Sequence, residues 1–303
     1  MIPLLYEEFL RAALREDLGR AGDLTTDAIV PATFTGHADA VGRAAGVVSG
    51  LEPFGRTFTL VDERISVLFH AADGNRVAPG TPIARVSGPL RAILAAERTA
   101  LNILGHLSGI ATATDRLVQA VSGTHAAIID TRKTTPGMRA LEKAAVRHGG
   151  GHNHRFGLDD AILIKDNHVA IAGGIRRAIE AARAYAGHLV KIEVEVDSLP
   201  QLDEALAARA DIILLDNFTI DQTRAAVQRT AGRALLESSG RIDETTVRAV
   251  AETGVDLISS GALTHSVRVL DIGLDIADAE RFDQHALGTP AIEFPVVHPL
   301  PRA

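Results

Sequence analysis

Cysteine is absent from all 303 residues. That excludes a disulfide framework, a thiolate zinc site and a cysteine nucleophile, and nothing points to an oxidising compartment, so a cytoplasmic protein is expected. No stretch approaches the roughly 20 consecutive apolar residues of a membrane span. The start, MIPLLYEEFLRAALRED, carries acids in its first turns and apolar residues at helical spacing, unlike the basic start and continuous apolar run of a signal peptide. A broad basic face is missing as well. The formal net charge of −7 argues against a general nucleic-acid binder, which needs clustered cations to displace counterions from phosphates. The first strand-to-helix turn of the alternating region lacks G-x-G-x-x-G, and the chain lacks G-x-x-x-x-G-K-[ST] and H-E-x-x-H. These absences argue against a dinucleotide site, a P-loop and a zinc-protease helix. What is present is a chain 46% hydrophobic, ample to bury a core.

The first hundred residues and the rest are patterned differently. The spacing predicts a helix over 6–17, a turn at GDLTT (22–26), β-like runs at 37–48 and 65–70, a helix over 52–61, and turns with a strand over 77–90. Residues 90–121 read as a long apolar helix, broken near Gly105 or Gly109. Beyond it, apolar runs at 126–129, 161–164, 190–196, 212–215, 234–236 and 257–259 alternate with helical patterns, which predicts repeated βα units in a parallel sheet or barrel. These runs are followed by Asp130, Lys165, Glu195, Asp216, Ser238 to Gly240, and Gly261. Polar residues recurring at strand carboxyl ends favour a barrel over an open doubly wound sheet, because barrels gather their chemistry on that face.

Residues 130–168 hold seven Lys or Arg and four His against five acids, opposite in sign to the whole chain. Arg139, Glu142, Lys143 and Arg147 stand three or four apart and read as a solvated helix face; Lys143→Ala is therefore expected to do little. Arg132 and Lys133 follow a strand and precede a Thr-Thr-Pro-Gly turn, a place where a guanidinium fork and an ammonium can face an anion. The Gly149-Gly150-Gly151 run reads as backbone that lets the next segment approach a ligand. His148, His152 and His154 invite a metal reading, but no acid stands at ligand spacing and Arg155 and Lys165 would repel a cation. Lys165 reads as a charge clamp or a desolvated Schiff-base amine. The clamp is the expectation carried forward.

DTRKTTPG, ALEKAAVRHGGGHNHR, LIKDNH, EVEVD, LLDNF, ESSG and SSGALTHS together resemble the quinolinate phosphoribosyltransferases, also called nicotinate-nucleotide pyrophosphorylases (carboxylating). The resemblance spans essentially the whole chain. It implies an α/β fold: an N-terminal α/β sandwich over 1–110 that also receives the tail 272–303, and an open, incomplete (β/α) barrel over 111–271. It implies a homodimer or higher homo-oligomer with shared active sites. The implied reaction is decarboxylating phosphoribosyl transfer from 5-phosphoribosyl-1-pyrophosphate to quinolinate, giving nicotinate mononucleotide, pyrophosphate and CO2 in de novo NAD biosynthesis. By the same resemblance Arg132, His154, Arg155 and Lys165 hold the dicarboxylate, with Arg98 reaching in from a partner subunit and Lys133 and His168 beside them. Glu195 and Asp216 hold the ribose hydroxyls and Mg²⁺, while Ser239, Gly240, Gly261 and His265 form the 5′-phosphate loops. Catalysis falls to Lys133, Lys165, Glu195 and Asp216. His265 also has a plainer reading, as a helix cap.

One position departs from the family pattern: Arg241 follows Gly240, where a second glycine is usual. Three rival readings make distinct predictions. The related molybdate-operon proteins lack the lysine that Lys165 supplies; a non-catalytic anion-binding barrel would have lost Glu195 and Asp216; a class I aldolase would form a trappable imine on Lys165.

Overall fold

The computed structural model of the chain describes residues 2–276. Of the expected tail, residues 277–303 lie outside the described residues. Helix α1 (Glu7–Leu18) forms where the apolar spacing predicts it and buries Leu10 and Leu14. GDLTT begins a helix instead of making only a turn. Asp23 accepts the Thr26 N–H at 3.0 Å, capping α2 (Leu24–Ile29), so the polar cluster starts a helix. Strands β1 (Thr35–Gly42) and β2 (Gly46–Val47), helix α3 (Leu51–Val61), and strands β3 (Ser66–Phe69), β4 (Arg76–Val77) and β5 (Pro82–Pro89) follow.

Helix α4 (Leu90–Ala120) runs unbroken for 31 residues, with no interruption at Gly105 or Gly109. Those glycines serve packing. A Cβ on Gly109 would collide with the Arg268 carbonyl oxygen, and one on Gly105 would come within 2.9 Å of the Leu270 carbonyl oxygen. The chain around 268–270 thus lies directly on the helix backbone, and Leu270 N–H donates to the Gly105 carbonyl at 3.0 Å. Gly109→Ala is expected to cost about 1–3 kcal/mol, the range for overpacking a close contact. Urea unfolding measures it; unchanged stability would mean that this segment lifts off without loss.

The remaining elements are β6 (Ala127–Ile129), α5 (Arg139–His148), β7 (Ile162–Ile164), α6 (Asp166–Ala172), α7 (Ile175–Tyr185), β8 (Ile192–Val196), α8 (Leu199–Ala207), β9 (Ile212–Asp216), α9 (Ile220–Thr230), β10 (Leu235–Ser239), α10 (Val247–Ala251), β11 (Leu257–Ser259), α11 (Ala262–His265) and β12 (Ile272–Ile276). Six of these strands form a parallel sheet in the order β6-β11-β10-β9-β8-β7. Among the described residues β6 and β7 do not pair, so the barrel is open there. Strand β12 leaves this sheet and pairs antiparallel with β1, in the order β12-β1-β5-β3.

Period-two alternation decides what faces where. Ile164, Ile192, Val194, Ile213, Leu215, Leu236 and Ile258 pack into the core with residues of the surrounding helices. Their neighbours of opposite parity point into the barrel. Among the described residues no helix is long and apolar enough to cross a membrane.

Candidate active site

A cavity of about 350 Å³ opens at the carboxyl ends of these strands. The inward positions of β7 supply Leu163, with Lys165 just beyond the strand; β8 supplies Glu195, β9 Leu214 and Asp216, β10 Glu237 and Ser239, and β11 Ser259. Thr131, Arg132 and Lys133 enter from the loop after β6, and His154 and Arg155 from the segment before β7. Four cationic side chains therefore face three carboxylic ones. Burial first, then the charge of Asp216, pushes the Glu195 carboxyl above the usual carboxylate range, while Lys165 pulls it down. Burial and the nearby Arg132 charge ease the Arg155 guanidinium toward losing its proton, and Glu193 opposes this. Glu237 is 2% exposed; burial, then Glu193, raises its carboxyl well above the usual range and favours its neutral form.

The loop carrying Arg132 and the segment carrying His154 and Arg155 are fixed by a network that the charge pattern concealed. Glu142 and Lys143 are not on a solvated face: they are 0% and 1% exposed. Lys143 Nζ donates to Asp130 at 2.5 Å and to the His154 carbonyl at 3.1 Å. Burial lowers the Lys143 ammonium below the usual lysine range, against the pull of Asp130. Asp130, which ends β6, is fully buried and also accepts from Asn153 Nδ2 at 2.6 Å and from His154 N–H at 2.8 Å. Glu142 accepts the Thr135 N–H at 3.1 Å and lies 2.8 Å from His106 Nε2. Arg139 donates to Thr134 Oγ1 and to the Phe156 carbonyl, tying the two loops together. Only Arg147 keeps the expected exposure, with Asn153 as its partner.

The glycine run likewise serves α4, not a ligand. A Cβ on Gly149 would collide with the Ala111 carbonyl oxygen, and one on Gly151 would lie 2.7 Å from Thr114 Cγ2. Bare backbone there lets residues 151–153 slide along α4 into the barrel opening, where His152 makes one parallel bridge to Ile129.

The other expected site residues are dispersed. Lys133 also lines a neighbouring cavity of about 400 Å³ with His265, Thr264, Thr134, Thr135 and His106. Gly261 sits against both: a Cβ there would lie 2.8 Å from Lys133 Cδ and 3.2 Å from the His265 ring. His265 ends α11, and its Nδ1 lies 2.6 Å from Ser266 Oγ. Gly240 has φ +115°, and a Cβ there would collide with the Asn217 side chain. Arg241 adopts φ +49°, a left-handed conformation in which a non-glycine residue costs roughly 1–2 kcal/mol. That is the conformational reason glycine suits this position. His168 is exposed and not among the residues lining the cavity; its Nδ1 accepts the Lys165 N–H at 2.9 Å at the start of α6. Arg98 lies elsewhere in the chain, on α4, in a cavity shared with Phe9, Glu16, Asp17 and Asn102 of α1 and α4.

The histidine run does not converge. His148 Nδ1 lies 2.9 Å from Ser49 Oγ, and His152 is exposed. His154 does meet two acids, Glu193 and Glu237, with ligand atoms within 4.8 Å of one another. Its Nδ1, however, accepts the Arg155 N–H at 2.7 Å, so in the neutral ring Nε2 carries the proton and cannot ligate. Glu195 and Asp216, at the ends of adjacent strands, are the better cation donors.

An open parallel barrel with a cationic anion pocket beside two strand-end carboxylates defines a class: α/β enzymes that bind small, multiply anionic substrates at the barrel mouth. Within that class, residues 23–108 match the model of the quinolinate phosphoribosyl transferase N-terminal domain, and residues 110–275 that of the C-terminal domain. The chain belongs to the quinolinate phosphoribosyltransferase family. It is 50% identical to nicotinate-nucleotide pyrophosphorylase [carboxylating] of Mycobacterium leprae, covering 88% of this chain and 95% of the relative. NadC from Streptococcus pyogenes superposes with a TM-score of 0.87 at 43% identity, over 92% of this chain and 99% of that one. The nicotinate-nucleotide pyrophosphorylase of Francisella tularensis gives 0.88 at 38% identity, over 91% and 98%.

Proposed function

We propose that this chain is a pentosyltransferase that moves the phosphoribosyl group of 5-phosphoribosyl-1-pyrophosphate to quinolinate with loss of CO2, forming nicotinate mononucleotide for NAD biosynthesis. The observation that carries this reading is one cavity holding Arg132, Lys133, Arg155 and Lys165 against Glu195 and Asp216. Quinolinate is a pyridine 2,3-dicarboxylate, and Arg132, Arg155 and Lys165 can take its two carboxylates and aim the ring nitrogen at the ribose carbon. Lys133 lines this cavity and the next, so it stands between the dicarboxylate and the phosphates. Gly240, Gly261, Ser239 and His265 supply the small residues and the imidazole suited to a 5′-phosphate.

Glu195 and Asp216 suit the ribose hydroxyls and Mg²⁺. Hard oxygen donors fit that ion, and the repulsion that raises the Glu195 carboxyl is what a divalent cation relieves. Bound with the phosphoribosyl donor, Mg²⁺ would offset charge developing on pyrophosphate. On the protein side, Lys133 takes up part of that charge as the C1′–O bond breaks and the N–C1′ bond forms. The C2–carboxylate bond then breaks, CO2 leaves, and the electron pair stays on C2 beside the cationic nitrogen until C2 takes a proton.

Arg98 faces a different cavity in its own chain. We place it in the site of a second copy, which makes the working unit a homodimer or a higher homo-oligomer. The lack of cysteine accords with a reducing compartment, and we place the enzyme in the cytoplasm.

Two measurements test this reading. A pocket built for two carboxylates binds quinolinate about 100-fold more tightly than nicotinate, because losing one carboxylate strands charged donors; equal affinity by calorimetry would contradict it. Glu195→Gln is expected to weaken Mg²⁺-dependent binding of the phosphoribosyl donor by about 100-fold while melting temperature holds or rises, since one of two repelling charges is gone. A fall in melting temperature with donor affinity intact would contradict the assignment.

A further inference from the structure

His154 has four polar atoms, and each already has a partner inside the protein. Its N–H donates to Asp130 at 2.8 Å, and its carbonyl accepts from Lys143 Nζ at 3.1 Å. Its Nδ1 accepts the Arg155 N–H at 2.7 Å, and its Nε2 lies 3.0 Å from Glu193 Oε2, with Glu237 Oε2 at 3.6 Å. A ring nitrogen that accepts a backbone N–H carries no proton, so the proton sits on Nε2 and points at Glu193. Nothing polar on this residue is left to meet a substrate carboxylate.

What the bonds accomplish is placement. Residues 151–155 cross the barrel opening, and the only ladder contact given for them is the single bridge between His152 and Ile129, with no sheet register to hold Arg155. The Arg155 backbone N–H is held by the His154 ring, and that ring is held by Glu193; the guanidinium has one further tether, to the Ala161 carbonyl at 3.1 Å. Glu193 is 5% exposed, inward-facing on β8 two residues before Glu195.

We infer that Glu193 is a positioning residue for quinolinate: by accepting the His154 Nε2–H it fixes the imidazole that holds Arg155 at the wall of the dicarboxylate pocket. Glu237 is the second acceptor beside the same nitrogen. His154 then acts through Arg155 rather than on the substrate. The inference rests on the quinolinate reading of the cavity.

Binding and kinetics separate the two. Glu193→Ala is expected to raise the quinolinate KM and Kd about 10-fold to 100-fold, the cost of stranding a buried donor, with the values for the phosphoribosyl donor unchanged within about twofold. Glu193→Gln keeps an acceptor oxygen and should restore quinolinate affinity to within about threefold of wild type. In the wild-type chain, nitrogen-15 NMR at neutral pH should show His154 as the neutral Nε2–H form, a readout independent of whether any variant folds. An imidazolium or Nδ1–H form, equal losses for both substrates, or Gln as damaging as Ala would each overturn the inference. If wild-type protein failed to bind quinolinate at all, the reading of the cavity would fall and this inference with it; normal wild-type binding with no effect in Glu193→Ala would overturn this inference alone.

Discussion

Lys143→Ala should destabilise the fold by about 3–5 kcal/mol, the range for removing one partner of a buried ion pair. The charge pattern of α5 suggests a surface residue and a negligible effect, so the two readings differ by several kcal/mol. The large value follows from what is stranded. Asp130 is fully buried, and with Lys143 gone it would retain only Asn153 and the His154 N–H as partners. The His154 carbonyl would also lose its Lys143 donor. Urea unfolding provides the measurement. Asp130→Asn combined with Lys143→Met should recover part of the loss, because no buried charge is then left alone. A cost below about 1 kcal/mol for Lys143→Ala would place the pair among exposed salt bridges, against its burial.

Lys165→Ala should have the opposite profile. Lys165 is exposed at the cavity mouth, one residue beyond the paired Ile164 and Val194, and so beside Glu195. Losing it leaves no buried group stranded, and melting temperature should stay within about 2 °C, as for surface substitutions generally. Quinolinate turnover should nevertheless fall by about 100-fold to 1,000-fold in kcat/KM, the range for deleting a preorganised charged donor. Exposure also speaks against the Schiff-base alternative, which needs a desolvated amine. Steady-state kinetics and a thermal melt on one preparation check both halves. Loss of fold together with activity, or retention of both, would contradict the role given to Lys165.

The contrast between these lysines marks where the sequence was legible. Period-two runs ending in polar residues located β8, β9 and β10 and, with them, Glu195, Asp216 and Ser239, because strand parity and barrel geometry together dictate which face such residues occupy. Charge spacing on a helix carries no such constraint. Arg139, Glu142, Lys143 and Arg147 satisfy i,i+3 and i,i+4 pairing whether the face meets water or a buried aspartate. Only tertiary packing of α5 against the barrel opening separates those cases. Glycines were misread for a similar reason: Gly105, Gly109, Gly149 and Gly151 are fixed by close approach between α4 and distant segments. His168 stands near Lys165 in sequence and is spent on its backbone N–H. Glu193 did leave a signal, since in VKIEVEV it lies two residues from Glu195 and so faces the same interior; attention to strand ends alone passed over it.

The most direct test is incubation of the protein with quinolinate, 5-phosphoribosyl-1-pyrophosphate and Mg²⁺, with nicotinate mononucleotide, pyrophosphate and CO2 quantified together. Equal molar yields of all three, abolished by omitting Mg²⁺, are expected. Formation of nicotinate mononucleotide from nicotinate while quinolinate stays unreacted would contradict the assignment.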